Sequence, residues 1–197
     1  MDGPPRPNQA FVPMSTNDYI FLTHWRMPGR CAEVYEVLRR AEELPRWWPS
    51  VYLQVKTVVA AGPHGLGGEV DLHTKGWLPY TLRWRSRVTA TDHPWGFTLT
   101  ASGDLDGTGV WRFRQEDGDV AIEFDWRIRA DKPLLRAWSW LLKPVFAANH
   151  RWAMKQGEVS LRLELLRRRA PTAEERERLP LPPGPTFVGI RRREDRP

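Results

Sequence analysis

The chain has 197 residues with 41% hydrophobic content, which is enough for one full core and too little for two ordinary domains. Its net charge is +6. From Arg167 to the C-terminus we count nine arginines and five acidic residues, a net of +4, so most of the excess lies outside the predicted core, and composition alone does not indicate a nucleic-acid binder. The single cysteine, Cys31, excludes an intramolecular disulfide and fits a reducing compartment.

The N-terminal sequence lacks a basic region followed by an apolar run, so a secretory signal is not predicted. No window approaches the roughly 18–20 apolar residues of a membrane span, so we expect no integral membrane segment and a cytoplasmic protein. Nucleotide-binding and nucleophile motifs (P-loop, dinucleotide fingerprint, G-x-S-x-G) are missing, and we predict that no cofactor is used.

The first part of the chain predicts one strand and two short helices. Residues 1–17 are Pro-rich and polar, which predicts a flexible segment. Residues 18–26 alternate as a strand that turns Tyr19, Phe21 and Trp25 to one side. Pro28 and Gly29 end this strand. Helical spacing follows over residues 31–41, and a second helical turn over 42–48 ends before Pro49.

From Val51 the hydrophobic period changes to two, which indicates strands. The predicted strands cover 51–59, 69–74 and 80–91, a fourth begins at Phe97, and two more pass through Trp111 and Phe124 on either side of the hairpin signal Asp117-Gly118. The segment SGDLDGTG is predicted to be a turn or a bulged crossing. One face of these strands is apolar and must be covered: Leu82, Trp84, Phe97, Leu99, Trp111, Phe113, Phe124 and Trp126.

The last long segment, Pro133 to Leu166, is predicted to be an amphipathic helix that covers this apolar face. Pro144 predicts a bend, because it cannot donate a hydrogen bond to the preceding turn. The residues predicted to face the sheet lie opposite the charged ones: Trp138, Leu142, Val145, Asn149, Trp152, Gln156, Val159 and Leu163. Short turns between strands indicate an antiparallel meander, and so an α+β fold.

This order of elements resembles the helix-grip fold of the START/polyketide-cyclase (SRPBCC) superfamily, specifically its bacterial cyclase- or dehydrase-like members. The likeness covers residues 18–166 and is carried by two local segments, AEELPRWWPSV (Ala41–Val51) and NHRWAMKQGEVSL (Asn149–Leu161). It implies a curved sheet of about six to seven strands around one long helix. It also implies a domain at 18–166, between a flexible segment at 1–17 and a Pro/Arg-rich tail at 167–197.

The resemblance further implies a cavity for an apolar or aromatic ligand between the sheet and the long helix. The expected ligand-binding residues are Trp84, Phe97, Trp111, Phe113, Phe124 and Trp126 on strands, with Trp138, Leu142, Phe146, Asn149 and His150 on the helix. Two interpretations of the Asn149-His150 pair stay open. These side chains contact the ligand, or they satisfy backbone groups beyond Pro144 and hold the helix in place.

Two charged groups also leave alternatives open. Glu69, Asp71 and His73 share a strand face that is typical of a wet surface and also of a divalent-metal site, and we predict that no metal is bound there. Arg83, Arg85 and Arg87 form a basic stripe, which is typical of a docking surface for an acidic partner and also of a solvated sheet face. We interpret it as a solvated face with cross-strand partners among Glu123 and Asp125.

The leading functional hypothesis is the binding of a hydrophobic small molecule, either a lipid or a polyketide-like aromatic. The alternative is a cofactor-independent cyclase or dehydratase, whose catalytic residues the sequence does not identify. A third is an interaction module with a basic tail. We predict no nucleic-acid partner, and the sequence makes no prediction of oligomeric state.

Overall fold

The computed structural model describes residues 18–130 and 139–186, with side chains for 19–129 and 144–186. Seven strands form one antiparallel sheet in the order β1-β7-β6-β5-β4-β3-β2, and a long helix follows the last strand. This confirms the predicted helix-grip fold. The strands are β1 (Asp18–Pro28), β2 (Tyr52–Val59), β3 (Glu69–Lys75), β4 (Thr81–Asp92), β5 (Gly96–Gly103), β6 (Leu105–Glu116) and β7 (Asp119–Ala130). The helices are α1 (Cys31–Leu38), α2 (Leu44–Trp47), α3 (Ser139–Arg169) and α4 (Ala173–Arg178).

Strand alternation separates the two faces of the sheet. In β1, Tyr19, Trp25 and Met27 are buried on the concave face, whereas Ile20 and Leu22 are exposed on the convex face. In β7, Ile122, Phe124 and Trp126 are buried in the same way, and charged residues alternate with them. The concave face therefore supplies the apolar wall on which the helices lie.

Strand β6 begins earlier than the sequence indicated. The chain turns inside the predicted segment SGDLDGTG, at Asp104, but the turn is short: β6 already runs from Leu105 and pairs through Gly107 and Gly109 with β7. A Cβ on Gly109 would lie 2.8 Å from Trp126 and 2.9 Å from Phe124. Gly109 therefore leaves room for aromatic rings of the neighbouring strand, a reason for glycine in a strand that does not involve a turn. Gly107 instead faces the β7 backbone, where a Cβ would lie 2.8 Å from the Ile128 Cα.

Helix α1 covers one end of the concave face. It begins after the extended Arg30, whose backbone N–H donates to the Glu33 carboxylate at 2.9 Å. Tyr35 is fully buried, and its ring meets Phe97 and Phe113 edge-on at centroid distances of 5.7 and 6.2 Å. This end of the sheet is therefore filled by α1 and is closed to a ligand.

Helix α3 packs on the sheet with a different face from the one predicted. Val159 was expected to face inward but is 42% exposed, and the buried positions are Met154, Gly157, Ser160, Leu161, Glu164 and Leu165. Three large apolar side chains make this contact together with two small residues and one buried carboxylate, which a count of apolar side chains alone leaves out. Pro144 lies in the second turn of α3, and the bend at this residue stays a prediction.

The buried carboxylate of Glu164 is satisfied by two arginines. Arg46 donates to both of its oxygens at 2.7 and 2.8 Å, and Arg168 donates to one at 2.7 Å. Burial is the largest single influence on the pKa of Glu164 and raises it. The hydrogen bonds and charges of Arg46 and Arg168 together outweigh burial, so the pKa of Glu164 lies below its usual value. The network joins α3 to the segment that precedes β2.

The basic stripe on β4 has partners on a different strand from the predicted one. Arg85 pairs with Asp71 at 2.7 Å and Arg87 with Glu69 at 3.3 Å, both on β3. Prediction of Glu123 and Asp125 as partners was wrong, because β7 lies three positions from β4 in the sheet. Those two acids pair instead with Arg112 and Arg127.

The chain beyond residue 166 returns along the domain. Helix α3 continues to Arg169, whose guanidinium pairs with Glu33 at 2.9 Å. The segment after α4 is held by Arg167, which donates to the carbonyls of Leu179 and Pro180. Thr186 then forms hydrogen bonds with Lys75 and Gly76 at the end of β3. The cluster Arg167–Arg169 at the start of the predicted tail is therefore part of helix α3, and the later cluster Arg191–Arg193 lies outside the described residues.

Candidate functional site

A cavity of about 180 Å³ lies between the concave face of the sheet and α3. Residues from β1, from the sheet centre and from α3 surround it, so its walls come from distant parts of the sequence. The lining residues are Tyr19, Phe21, Trp48, Val51, Tyr52, Thr74, Lys75, Gly76, Tyr80, Leu82, Trp84, Leu99, Leu105, Trp111, Phe124, Trp126, Ile128, Phe146, Asn149, His150, Ala153 and Met154.

Stacked aromatic rings form the sheet wall of this cavity. The Trp111 and Phe124 rings are nearly parallel with centroids 4.0 Å apart, and Phe124 and Trp126 stack at 5.5 Å. Trp84 extends the row by a tilted contact with Trp126 at 5.7 Å. The rings thus pack on one another and still present a flat apolar surface to the remaining space.

Seven of the eleven residues predicted to bind a ligand lie at the cavity: Trp84, Trp111, Phe124, Trp126, Phe146, Asn149 and His150. Phe97 and Phe113 lie elsewhere, because α1 covers their end of the sheet and they pack on Tyr35. Trp138 lies outside the described residues, and so does the side chain of Leu142. Whether the seven bind a ligand stays a prediction.

Several cavity residues were missed by the sequence reasoning. Tyr19 and Phe21 line the cavity from β1, and the alternation of that strand already placed them on its inner side. Trp48 lies between α2 and β2, and Tyr80 directly precedes β4, where alternation gives no direction. Tyr52 begins β2, ahead of the register shift at Leu53. Their position depends on how the α2 and β3–β4 connections pass over the sheet.

Asn149 holds the β3–β4 connection against α3. Its side-chain oxygen accepts the backbone N–H of Trp77 at 2.9 Å and that of Leu78 at 3.4 Å. Gly76 makes this approach possible, since a Cβ there would lie 2.1 Å from the Asn149 oxygen. The geometry agrees with the interpretation of this amide as a structural tie at the cavity rim.

His150 is a buried neutral imidazole in the cavity wall. Its ring stacks on Phe21 with centroids 4.1 Å apart. Burial, helped by the nearby charge of Arg151, lowers the pKa of His150 to about 4. Its Nε2 is buried, and no described residue hydrogen-bonds to it. At neutral pH this side chain therefore acts as a proton acceptor or a neutral hydrogen-bonding group, and not as a cation.

Two tyrosines approach the same region of the cavity. The rings of Tyr19 and Tyr80 both meet Phe146 edge-on, at 6.0 and 6.3 Å, and Phe146 precedes His150 by one helical turn. Burial first, and Tyr19 second, raise the pKa of Tyr80 to about 12. Burial also raises the pKa of Tyr52. These phenols stay protonated at neutral pH and can donate hydrogen bonds.

Other classes of site receive no support from the described residues. Within 18–130 and 139–186, no group of three or more His, Cys, Asp or Glu side chains could hold a metal ion. None of the helices in this part of the chain is long and apolar enough to cross a membrane.

Comparison with known proteins agrees with the fold. Searches found no family model that matches the sequence and no matching curated protein. Among solved structures, the protein TTHA0849 from Thermus thermophilus has a TM-score of 0.62 at 15% identity, covering 77% of this chain and all (100%) of that one. The Zhui aromatase/cyclase from Streptomyces sp. R1128 has a TM-score of 0.57 at 16% identity, with 78% and 97% coverage.

Norcoclaurine synthase from Thalictrum flavum, in complex with dopamine and hydroxybenzaldehyde, has a TM-score of 0.52 at 11% identity, covering 83% of this chain and 99% of that chain. At these identities the likeness shows the shared fold alone. The described chain is therefore a helix-grip domain with an aromatic-lined cavity.

Proposed function

We propose that this protein binds a small, flat, apolar molecule in the cavity between the sheet and α3, as a distant member of the START/polyketide-cyclase superfamily. The observation that carries the proposal is the cavity itself, an open space lined by stacked aromatic rings inside a fold whose other end is filled. Such a surface favours aromatic ligands through stacking and apolar burial. We also propose a cytoplasmic location, where the lone buried thiol of Cys31 stays reduced.

The cavity volume limits the size of the ligand. An apolar cavity of about 150 Å³ is known to hold benzene, and this one measures about 180 Å³. We therefore expect one ring with a small substituent, or two compact fused rings, to fit without rearrangement. A lipid chain or a tetracyclic polyketide exceeds this space, so the aromatic form of the predicted ligand is favoured over the lipid form.

The test is to fill the cavity and measure binding. Ala153 lines the cavity on α3, and the substitution Ala153→Leu adds apolar volume there without adding a polar group. With toluene and indole as probes in calorimetric titrations, we expect at least tenfold weaker binding than in the wild type. Ala32→Leu on the exposed side of α1 is the matched control and should bind as the wild type does. Equal toluene binding by both variants would contradict the proposal.

Native mass spectrometry of the purified chain adds an independent measurement. Aromatic molecules of one or two rings that co-purify with the wild type, and not with Ala153→Leu, would support the proposed ligand class. Co-purification of long-chain lipids at equal levels with both proteins would count against it.

A second candidate function is cofactor-independent dehydration, as in the cyclase/dehydratase alternative. His150, Tyr19 and Tyr80 surround one region of the cavity, which is the kind of convergence that general acid–base chemistry requires. The neutral imidazole would remove a proton from the carbon next to a ketone, while the Tyr80 hydroxyl donates a hydrogen bond to the ketone oxygen. The imidazolium would then return its proton to the departing β-hydroxyl, which leaves as water.

This function is tested with a substrate that fits the cavity. The β-hydroxy ketone formed from benzaldehyde and acetone carries one ring, and its dehydration product is conjugated and absorbs strongly. We expect dehydration by the wild type and background rates for His150→Phe, which should still bind toluene. Equal rates for both proteins would reject the enzymatic role and leave the binding function intact.

A further inference from the structure

Strand β1 is an edge strand of the sheet, and among the described strands only β7 pairs with it. The backbone N–H of Gly29 donates to the carbonyl of Gly118 at 2.9 Å, and the register pairs every residue of β1 with β7 without a shift. Because hydrogen-bonding direction alternates along an antiparallel strand, the odd-numbered residues of β1 bond to β7. The backbone groups of its even-numbered residues therefore point away from the sheet.

Arginines from α3 cover part of this edge. Arg162 donates to the carbonyl of Arg26 at 3.1 Å, and Arg169 donates to that of Pro28 at 2.9 Å. Both acceptors are even-numbered, as the alternation requires. The backbone N–H and C=O groups of Ile20, Leu22 and His24 also point away from β7, and they form no hydrogen bond with any residue that the structure describes.

The side chains on this open part of the edge are apolar and exposed. Ile20 is 52% and Leu22 is 57% exposed on the convex face, although a half-exposed strand face usually carries polar residues. The opposite edge of the sheet is built differently. Strand β2 has register shifts at Leu53 and Val58 and carries Lys56 between them. Bulges and lysines are the devices by which proteins prevent edge pairing, and β1 lacks them from Asp18 to His24.

We propose that β1 pairs with β1 of a second copy of this chain, antiparallel across a two-fold axis at Leu22. This register sets Leu22 opposite its own symmetry mate and Ile20 opposite His24 of the other copy. All three positions are even-numbered, so six N–H···O bonds close the free groups of both strands. The two isoleucines and two leucines then form one apolar cluster on the convex face.

Charge on the neighbouring strand favours this arrangement. On β7, Arg127 lies beside Ile20 and Glu123 lies beside His24. The two-fold axis sets the Ile20 end of one copy in line with the His24 end of the other. The two outer rows of side chains across the seam therefore run from Arg127 in one copy to Glu123 in the other, whereas a parallel pairing would align like charges. The middle row has Asp125 at both ends, and each Asp125 is paired with Arg127 of its own chain.

The pairing involves a few residues of one strand, which is less than the roughly 1,200 Å² buried by stable complexes. We therefore expect a weak dimer that is monomeric when dilute. Sedimentation velocity over a wide range of concentrations should show self-association of the wild type. Leu22→Asp should abolish it, and Leu66→Asp, at a similarly exposed leucine in the β2–β3 connection, should leave it unchanged.

Cysteine cross-linking tests the register. Directly paired residues lie about 5.5 Å apart at Cα, within the range of a disulfide, whereas Ile20 and its symmetry mate would be about 14 Å apart. Under mild oxidation we expect Leu22→Cys to form a covalent dimer, and Ile20→Cys and His24→Cys alone to form little. A mixture of Ile20→Cys and His24→Cys should cross-link. The wild type, whose Cys31 is buried, serves as the control.

Three results would overturn the proposal. One is a wild type that stays monomeric at all concentrations, and another is equal cross-linking at Leu22 and at Ile20 alone. The third is a finding that something other than a second copy covers the edge of β1, which hydrogen exchange on a dilute sample tests. Slow exchange of the Ile20, Leu22 and His24 amides in monomers would mean that another part of the chain or another molecule covers them.

Discussion

Gly157 allows α3 to lie against Trp48, and its replacement gives the most decisive test of the helix packing. A Cβ at residue 157 would lie 2.2 Å from Cζ2 and 2.6 Å from Cε2 of the Trp48 ring. Favourable carbon contacts lie at about 3.5–4.0 Å, so either the ring or the helix must move. Trp48 is 3% exposed and packed against Trp25 and Tyr52, which restricts its movement.

Two opposing effects set the stability of Gly157→Ala. Alanine is favoured over glycine inside a helix by about 1 kcal/mol, because glycine loses more backbone entropy on folding. Overpacking of a closed core costs about 1–3 kcal/mol. The clash is severe and the ring is confined, so we expect the upper part of this range and a net loss of about 1–2 kcal/mol.

The measurement is urea unfolding of a double-mutant cycle with Trp48→Leu. Leucine removes the ring that the new methyl group meets. In that background Gly157→Ala should stabilise the protein by up to about 1 kcal/mol, so the sign of its effect reverses. If Gly157→Ala is neutral or stabilising in the wild-type background, or has the same effect in both, the close approach of ring and helix is not what limits this position.

Three further predictions concern polar groups. Glu164→Gln should lose about 2 kcal/mol of stability at neutral pH, since it leaves two guanidinium groups without their buried carboxylate. The pKa of Glu164 is lowered from 4.5, so its stabilising effect is present above that pH, and urea midpoints of wild type and variant should converge as the pH falls below it. Asn149→Ala should speed hydrogen exchange of the two amides it accepts in the β3–β4 connection, while Gln156→Ala should not; equal exchange in both would refute the tie. The His150 imidazole should stay neutral in an NMR titration until near pH 4. Because the unfolded state gains this proton near its ordinary pKa of about 6.5, wild-type stability should fall from there toward pH 4 relative to His150→Phe, and parallel curves would contradict the burial of this ring.

The sheet and its closing helix were predictable from the sequence because their signals are local and repeated. Alternation in β7 assigns Phe124 and Trp126 to one face, and Asp117-Gly118 fixes the preceding hairpin. A helix longer than any other element then has one apolar surface to cover. Each of these inferences needs neighbours in sequence, and none needs knowledge of a distant contact.

It was less predictable which residues of the concave face line the cavity. Alternation shows on which face of the sheet a side chain lies, but not which element covers it there. Phe97 and Trp111 lie on the same face, yet α1 covers the first and the cavity contacts the second. In the sequence Gly109 of β6 looks like part of a turn, and the reason for a glycine there becomes visible when the rings of β7 are placed beside it. The buried face of α3 was missed because Gly157 and Glu164 do not resemble core residues.

The aromatic wall also has an optical consequence. Trp48, Trp84, Trp111 and Trp126 line the cavity, so four indoles of the described chain surround any molecule inside it. Excitation energy passes readily between indoles that are this close, and a bound molecule whose absorption overlaps indole emission would drain all four together. The protein thus carries its own reporter, and its ultraviolet fluorescence can screen a collection of aromatic compounds without a label.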